Sequence, residues 1–348
     1  MDLTKQQLQT LLNEAALKAD HEFAAPPTIL EIEGVYGDQI FATLGNFSTI
    51  LARPKVGKTT FTAIAVSSLL TGTKKLNFIP KLPNERQKIL WIDTEQGKPE
   101  CIKILRLIAK LTTGNEQEHP ENLYFFSFRQ FGNQQRIQLT EFAINAIKDL
   151  SFVIIDGIRD FVSSINDERE ATYIADKLLK WTQERDIHIL TILHQNKGDA
   201  NARGHLGTEL MNKAETVAKL VRDETTGTRL TIVEPEFTRH KDFEPFAYSI
   251  DEKGYISGEE AKQGYQPQNP KVHELTSQQL QEVINTTFNG SSSLPYGKLW
   301  QGLKTSLKSI DIQFGDNKCK ELVSYMQNNH YLNYNDQFKH YSSNVPKV

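Results

Sequence analysis

The stretch that decides the fold is Ile50-Leu51-Ala52-Arg53-Pro54-Lys55-Val56-Gly57-Lys58-Thr59-Thr60. Residues Asn46 to Leu51 predict a buried strand, and an apolar segment with helical spacing follows the stretch from Phe61 to Leu70. A strand, a tight loop ending in Gly-Lys-Thr and a helix are the parts of a phosphate-binding loop, because successive backbone N–H groups and the helix N-terminus point at an anion. The alternative is an accidental Gly-Lys-Thr in a surface turn. The flanking strand and helix favour the phosphate-binding loop.

Each position of the loop has an expected part in binding a nucleotide. Lys58 is expected to reach the β- and γ-phosphates, and the Thr59 hydroxyl is expected to hold Mg²⁺. Loops of this kind usually begin with glycine, but this sequence has Ala52 at that place. If the first corner requires a positive φ, Ala52 is strained there. The predicted nucleotide-binding residues are Ala52, Arg53, Pro54, Lys55, Val56, Gly57, Lys58, Thr59 and Thr60.

Composition narrows the class of protein. The 348 residues are 38% hydrophobic and 24% charged, as in soluble globular proteins of two or three domains. The net charge of −3 argues against attraction of the whole protein to nucleic acid or anionic membranes, so nucleic-acid binding must come from local patches. Cys101 and Cys319 lack metal-site spacing and indicate free thiols in a reducing compartment. Without a signal-like N-terminus or a long apolar run, the sequence predicts a cytoplasmic protein with no membrane partner.

The order of patterns predicts four segments. They are an N-terminal helix and linker over 1–27, an α/β domain with a mainly parallel sheet over 28–257, a linker over 258–273 and a winged-helix-like domain over 274–348. A capping box at Thr4–Gln7 opens a predicted amphipathic helix over 4–19. Its apolar stripe is expected to pack on its own domain or on a neighbouring subunit.

Acidic and amide side chains follow three apolar strands of the α/β segment. Glu95 follows the strand that begins at Lys88, Asp156 follows Phe152-Val153-Ile154-Ile155, and His194-Gln195 ends the strand that begins at Ile187. The carboxyl ends of parallel strands meet at one edge of a sheet, where the phosphate-binding loop also lies. Glu95 can therefore orient and deprotonate a water for hydrolysis, and Asp156 can hold Mg²⁺. The alternatives are a helix-capping or solvated Glu95 and an Asp156 without a function, since an apolar run ending in Asp is common.

This order of motifs resembles the RecA-like ATPases. Within them it is most similar to the RepA-type hexameric replicative helicases and the related AAA-family ATPases of bacterial plasmids and mobile elements. The resemblance covers roughly residues 40–250. It implies that ATP and Mg²⁺ are the cofactors, that Lys58 and Thr59 bind phosphate and Mg²⁺, that Glu95 is the base, and that Gln195 senses the γ-phosphate, a role for which His194 competes.

The resemblance also implies partners. Members of this class assemble as rings or filaments, and each site is completed by a basic finger from the next subunit, a role that falls to Arg239 or Lys241 here. The alternative for these two residues is an ordinary surface turn. The loop over 197–206 takes the place that contacts single-stranded DNA in RecA-like motors, although its two basic residues, Lys197 and Arg203, are few for such a groove.

The C-terminal segment is only mildly basic. From position 270 onward it has eight lysines, six acids and no arginine. Three short helices and a hairpin indicate a winged helix that binds duplex DNA through Lys318 and Lys320, or a protein. The sequence thus predicts a Mg²⁺-dependent ATPase that acts on DNA as a replicative helicase or remodelling enzyme. The alternatives are an ATP-dependent DNA-binding regulator or assembly factor with little hydrolysis and, less favoured without an arginine-rich lid, a small-molecule kinase.

Overall fold

The computed structural model describes most of the chain. The described residues are 3–34, 37–195, 204–223, 230–251, 256–259, 272, 275, 277–310, 312 and 314–344. The chain divides into two compact units, residues 1–260 and 261–348. None of the helices within the described ranges is long and apolar enough to cross a membrane.

The first unit alternates strands and helices after an N-terminal helix. Its helices are α1 (Lys5–Ala15), α2 (Lys58–Thr71), α3 (Lys98–Thr113), α4 (Asn133–Ala146), α5 (Glu168–Arg185) and α6 (Gly204–Lys213). Its strands are β1 (Thr28–Ile32), β2 (Gln39–Thr43), β3 (Phe47–Ala52), β4 (Phe78–Pro80), β5 (Lys88–Asp93), β6 (Leu123–Ser127), β7 (Leu150–Asp156), β8 (His188–His194), β9 (Thr216–Asp223), β10 (Leu230–Thr238), β11 (Phe246–Ile250) and β12 (Ile256–Glu259).

The central sheet has the strand order β12-β11-β10-β9-β3-β8-β7-β5-β6 among the described residues. The strands from β9 to β6 pair in parallel, and β10, β11 and β12 extend the sheet in antiparallel fashion. A separate sheet has the order β2-β1-β4; β1 and β2 precede the phosphate-binding loop in the chain, and β4 follows α2. The predicted α/β fold with a mainly parallel central sheet is confirmed.

The sequence explains why the sheet lies at the centre. Every residue of β3 and of β7 is buried, as expected for parallel strands that are covered on both faces. Apolar side chains of α2 and α3 pack on one face, and those of α4, α5 and α6 pack on the other. Two hydrophobic cores therefore hold the sheet in place, and only the strand ends are left to carry polar chemistry.

The second unit is small and has its own core. Its elements are α7 (Ser277–Thr287), β13 (Leu294–Pro295), α8 (Tyr296–Ser309), α9 (Asp316–Asn328), β14 (Leu332–Asn335) and β15 (His340–Ser343). The sheet has the order β13-β15-β14, and apolar residues of all three helices form one cluster. The described elements therefore include the expected three helices followed by a hairpin.

Local hydrogen bonds accompany several element boundaries. α4 begins at Asn133, where the Gln135 side chain accepts the Gly132 N–H at 3.2 Å. β4 pairs with β1 in the segment between α2 and β5. In the turn between β14 and β15 the Asn335 side chain accepts the N–H groups of two later residues, at 3.0 and 3.1 Å. Gly315 is the N-cap of α9.

The N-terminal helix keeps its predicted cap but not its predicted length. Thr4 and Gln7 form the capping box, and the helix ends at Ala15 because Ala16 is extended. No residue of α1 is buried. Packing of its apolar stripe on its own domain, one of the two expectations, is therefore not what the structure shows.

Candidate active site

The phosphate-binding loop joins β3 to α2 at the carboxyl edge of the central sheet. Gly57 is the N-cap of α2 and has a φ of 107°, which is favourable only for glycine. Ala52 lies inside β3, paired with His194 and Leu220, and has no positive φ. The expected strain at Ala52 is therefore absent. The left-handed corner lies instead at Lys55, with a φ of 67°.

Two antiparallel strands brace this loop from the side. The Thr231 hydroxyl on β10 donates to the Val56 carbonyl at 2.8 Å, and the Tyr248 hydroxyl on β11 donates to the Gly57 carbonyl at 2.9 Å. A Cβ atom at Gly57 would lie 2.9 Å from the Tyr248 oxygen and 3.1 Å from that of Thr231. Glycine is thus required both by the backbone angle and by the close approach of the braces.

A cleft of about 510 Å³ opens in front of the loop. Most of the predicted residues line it, together with others that the sequence did not indicate. Its lining consists of Pro54, Lys55, Val56, Gly57, Lys58, Thr59, Thr60, Glu95, Gln96, Asp156, His194, Arg222, Thr231 and Ile250. Ala52 and Arg53, both predicted to bind the nucleotide, are not part of this lining.

A chain of three side chains crosses the cleft. Lys58 Nζ lies 2.8 Å from His194 Nδ1, and His194 Nε2 lies 3.4 Å from Glu95 Oε2. An ammonium group has no acceptor, so Nδ1 accepts from Lys58, and the remaining ring proton sits on Nε2 and points at Glu95. The imidazole ring of His194 therefore lies between Lys58 and Glu95 and contacts both.

Charges of both signs are concentrated around this chain. Burial raises the pKa of Asp156 to about 8, and the neighbouring carboxylates of Asp93 and Glu95 add to the rise. The hydrogen bond from His194 lowers the pKa of Glu95 against the effect of burial. Burial lowers the pKa of Lys58, which the charges of Glu95 and Asp156 oppose. Asp156 thus lies near two further carboxyl groups, and the charge of Lys58 opposes the rise of its pKa.

The turn after β5 is built to present Glu95. The buried Asp93 accepts the N–H groups of Glu95 and Gln96 through one carboxylate oxygen, at 3.0 and 2.7 Å. Asp93 therefore shapes the turn, and burial raises its pKa. The Thr94 hydroxyl donates to the Gly157 carbonyl at 2.9 Å and ties this turn to the end of β7.

Gly157 is the tightest position of the site. It has a φ of 97°, and a Cβ atom there would lie 2.2 Å from Thr94 Oγ1 and 2.6 Å from Glu95 Cγ. Any larger residue would push the glutamate out of place. Gly157 was not among the residues predicted from the sequence, although a glycine directly after a strand that ends in an acid is a signal that could have indicated it.

The structure separates the two candidates for the sensor. His194 lines the cleft, whereas Gln195 does not and is only 8% exposed, with its backbone N–H donating to the Ala52 carbonyl at 3.2 Å. Adjacent residues of a strand point to opposite faces, so the two cannot both face the cleft. Of the two candidates, His194 is therefore the one that lines the cleft.

The two candidate finger residues lie far from their own cleft. Arg239 and Lys241 are exposed just after β10, whose carboxyl end pairs with the start of β9. This is the amino edge of the parallel strands, opposite the cleft. The Arg239 N–H donates to the Glu215 carbonyl at 2.9 Å, and its guanidinium donates to the Lys213 carbonyl at 2.9 Å. Most of the predicted DNA loop over 197–206, including Lys197 and Arg203, lies outside the described residues.

Comparisons with known proteins give a family and two similar folds. The AAA domain family matches residues 16–200. The crystal structure of the RadB recombinase is similar at 16% identity and a TM-score of 0.42, over 61% of this chain and 90% of that one. A KaiC-like protein from the archaeon Pyrococcus horikoshii OT3 is similar at 17% identity and a TM-score of 0.45, over 62% of this chain and 90% of that one. No curated protein matches the sequence.

Proposed function

The chain belongs to the AAA domain family, and we propose that it is a Mg²⁺-dependent ATPase of the RecA-like class that acts on DNA. The observation that carries this proposal is a hydrogen-bonded series of three side chains across the cleft, Lys58, His194 and Glu95. The buried Asp156 lies beside it. A phosphate-binding lysine, a candidate base and a metal-binding carboxylate are thereby gathered in one cleft. These are the groups that phosphoryl transfer to water requires.

The hydrolytic step follows from this arrangement. The backbone N–H groups of the loop and the Lys58 ammonium bind the β- and γ-phosphates of ATP. Glu95 orients a water toward the γ-phosphorus and accepts its proton as the bond to the β–γ bridging oxygen breaks. The low pKa of Glu95 keeps it ionised for this role. His194 contacts both Lys58 and Glu95, so it is placed to respond when the γ-phosphate is lost.

The residues of the cleft also fit a divalent cation. Asp156 is 6% exposed, and its pKa is raised by burial and by two further carboxylates, an arrangement that a cation would relieve. Thr59 and Asp156 would hold Mg²⁺, which would neutralise the charge of the phosphates. We therefore keep Mg²⁺ as the proposed cofactor.

A role on DNA and assembly into a ring or filament complete the proposal. Arg239 and Lys241 lie at the sheet edge opposite their own cleft, so as finger residues they could serve only the cleft of another subunit. The segment 196–203 connects the strand of His194 to α6, which suits a loop that reports the state of the nucleotide to single-stranded DNA. The order of motifs supports a replicative helicase or remodelling enzyme of a plasmid or mobile element, with the second unit as a winged helix for duplex DNA or protein.

Phosphate release from ATP tests the proposal. The wild-type protein is assayed with Mg²⁺, alone and with single-stranded or duplex DNA, beside Glu95→Gln and the exposed control Glu116→Gln. We expect stimulation by DNA, a loss of about 10²-fold or more in Glu95→Gln and an unchanged control. Equal turnover in wild type and Glu95→Gln would refute the ATPase. Turnover without a DNA response would refute the DNA role alone, and a strand-separation assay then tests the helicase.

One observation favours the alternative, an ATP-dependent DNA-binding regulator with little hydrolysis. His194 contacts both the lysine and the candidate base, so the three side chains are held in one hydrogen-bonded network. A regulator would bind a defined duplex more tightly with ATP and release almost no phosphate. The same assay, combined with duplex binding in the presence of ATP, distinguishes the two functions.

A further inference from the structure

The cleft in front of the phosphate-binding loop has two walls of different chemistry. One wall follows the parallel strands β5 and β7 and includes the acids Glu95 and Asp156. The other wall, which we call the strand wall, is formed by β9, β10 and β11, and its described residues are Arg222, Thr231 and Ile250. The described part of the strand wall carries no acid, so the two walls suit different parts of a ligand.

Arg222 belongs to a row of side chains that faces the loop. Arg222 on β9, Thr231 on β10 and Tyr248 on β11 are direct cross-strand partners, so their side chains lie on one face of the sheet. The hydroxyl groups of Thr231 and Tyr248 donate to the carbonyl groups of Val56 and Gly57. The same row therefore brings the Arg222 side chain to the side of the phosphate-binding loop, where it lines the cleft.

The guanidinium group of Arg222 is open to a ligand. The side chain is partly buried, and within the part of the chain that the structure describes it makes no hydrogen bond or ion pair. A guanidinium group has five N–H donors and a flat face that stacks on aromatic rings. Ile250, the last residue of β11, adds an apolar surface to the same wall. A flat cation beside an apolar side chain suits a planar aromatic group.

The position of the phosphates decides which part of a nucleotide reaches the strand wall. The contacts of His194 with Lys58 and Glu95 join the loop to the acidic wall, so the proposed function places the γ-phosphate on that side. In the sheet, β5 and β9 lie on opposite sides of β3, roughly 14 and 5 Å away. A triphosphate whose γ-phosphate faces Glu95 therefore extends its nucleoside toward β9.

From these observations we propose that the strand wall binds the nucleoside of the bound nucleotide, with the base stacked on the Arg222 guanidinium and in contact with Ile250. This inference deepens the proposed function and rests on it, since it takes ATP as the ligand. Stacking uses the face of the base, which every base presents, so Arg222 adds affinity without selecting one base over another. Arg222 is thus a binding residue for the nucleoside, whereas Lys58 binds the phosphates.

Titration with whole nucleotides and with the phosphate part alone tests this assignment. Wild type, Arg222→Ala and Arg106→Ala, an exposed arginine of α3 outside the cleft lining, are titrated with Mg²⁺ present and heat as the readout. The probes are a non-hydrolysable ATP analogue, the corresponding GTP analogue and inorganic tripolyphosphate. We expect Arg222→Ala to bind both analogues about tenfold more weakly, as for one lost base-stacking contact, and to bind tripolyphosphate as the wild type does. The control should match the wild type with all three probes.

Two further variants separate stacking from a contact with phosphate, even where tripolyphosphate binds too weakly to measure. Arg222→Tyr keeps a flat face without the charge, and we expect its affinity for the ATP analogue to stay within about threefold of the wild type. Arg222→Lys keeps the charge without the flat face, and we expect it to bind as weakly as Arg222→Ala.

Three results would overturn the assignment of Arg222. They are equal ATP affinity in wild type and Arg222→Ala, an equal loss of affinity for tripolyphosphate, and rescue by Arg222→Lys but not by Arg222→Tyr. A loss confined to the ATP analogue would likewise exclude stacking, because it would show that Arg222 reads the edge of adenine. In each of these cases the wild type binds ATP and the proposed function stands, whereas a wild type that binds no nucleotide overturns the proposed function itself.

Discussion

Buried carboxylates have opposite surroundings at the amino edge of the central sheet, where its parallel strands begin, and at the carboxyl edge, where they end. At the amino edge, Glu215 accepts hydrogen bonds from the Thr43 N–H at 2.9 Å, the Thr43 hydroxyl at 2.6 Å and His240 Nε2 at 3.0 Å. At the carboxyl edge, Asp156 faces two further carboxylates, and its pKa is raised to about 8. A carboxylate with its own partners stabilises the fold, whereas one that lacks balancing charge is ready for a ligand. The contrast indicates which edge is structural and which is functional.

The largest effect is expected at Gly157, where the carboxyl edge is tightest. In Gly157→Ala the new Cβ collides with Thr94 and Glu95, so we expect turnover to fall by about 10²-fold or more, since small misplacements of catalytic groups have effects of this size. Phosphate release by the purified variant measures it. Gly72→Ala is the matched control, because Gly72 also has a positive φ but nothing lies within 4 Å of its Cβ position. Equal losses in both variants would show that backbone strain alone is responsible.

Glu215→Ala tests the structural role of the amino edge. The substitution removes three hydrogen bonds to a buried charge and leaves Thr43 and His240 without this acceptor, so we expect the free energy of unfolding to fall by about 3 kcal/mol. Urea denaturation measures this loss. The turnover of the folded fraction should stay unchanged, because the cleft lies at the other edge. If Glu215→Ala kept its stability but lost turnover, the structural role assigned to the amino edge would be contradicted.

The pH dependence of the free energy of unfolding tests the raised pKa of Asp156 at the carboxyl edge. Because folding raises the pKa of Asp156 from an ordinary 3.8 to about 8, the folded state holds a proton that the unfolded state releases. Stability is therefore lost as pH rises toward 8, by at most about 1.4 kcal/mol per pH unit. Urea denaturation with EDTA between pH 6.5 and 8 measures the slope, and we expect Asp156→Asn to flatten it. Below pH 6.5 the buried His188, whose pKa is lowered by burial, adds a dependence of opposite sign.

An equal slope in wild type and Asp156→Asn would contradict the charge arrangement assigned to the cleft. Glu170→Gln provides the control, because Glu170 is a partly exposed acid whose pKa is lowered by the hydrogen bonds that it accepts from Ser163 and Ser164. Its substitution should leave the slope above pH 6.5 as it is in the wild type.

The smallest effect is expected at Tyr248, whose hydroxyl contacts the phosphate-binding loop. Tyr248→Phe removes one hydrogen bond of 2.9 Å to the Gly57 carbonyl, so we expect a loss of about 1 kcal/mol in stability and a few-fold loss in ATP affinity. Denaturation and nucleotide titration measure the two losses. Tyr173→Phe on the exposed face of α5 should change neither quantity. An unchanged ATP affinity in Tyr248→Phe would show that the loop keeps its shape without the brace.

Sequence patterns predicted the carboxyl edge well because its chemistry is local. The Gly-Lys-Thr loop and the acids after two apolar strands each lie beside the element that positions them, so Lys58, Glu95 and Asp156 could be found without knowing the strand order. Gln195 was preferred to His194 for the sensor role, because the sequence does not show which of two adjacent strand residues faces the cleft; this depends on the register with β3.

The contacts of Thr231 and Tyr248 with the loop, and those of Glu215 at the amino edge, could not be predicted from the sequence. They depend on pairing between segments that are far apart in the chain. No sequence pattern indicated that β10 and β11 extend the sheet beside the loop and bring Thr231 and Tyr248 to its carbonyl groups. Glu215 gave no signal either, because its partners, Thr43 and His240, come from segments far apart in the chain. Contacts of this kind are products of the fold, and the sequence alone does not indicate them.

Nucleotide titration tests most directly the central claim that a triphosphate binds across the carboxyl edge. A non-hydrolysable ATP analogue with Mg²⁺ is titrated into wild type, Lys58→Ala and the exposed control Lys103→Ala, with heat as the readout. We predict one nucleotide per chain in the wild type, an unchanged control and an affinity reduced by about tenfold or more in Lys58→Ala, since a buried cation that contacts phosphate is lost. No binding by the wild type, or equal affinity in Lys58→Ala, would contradict the claim.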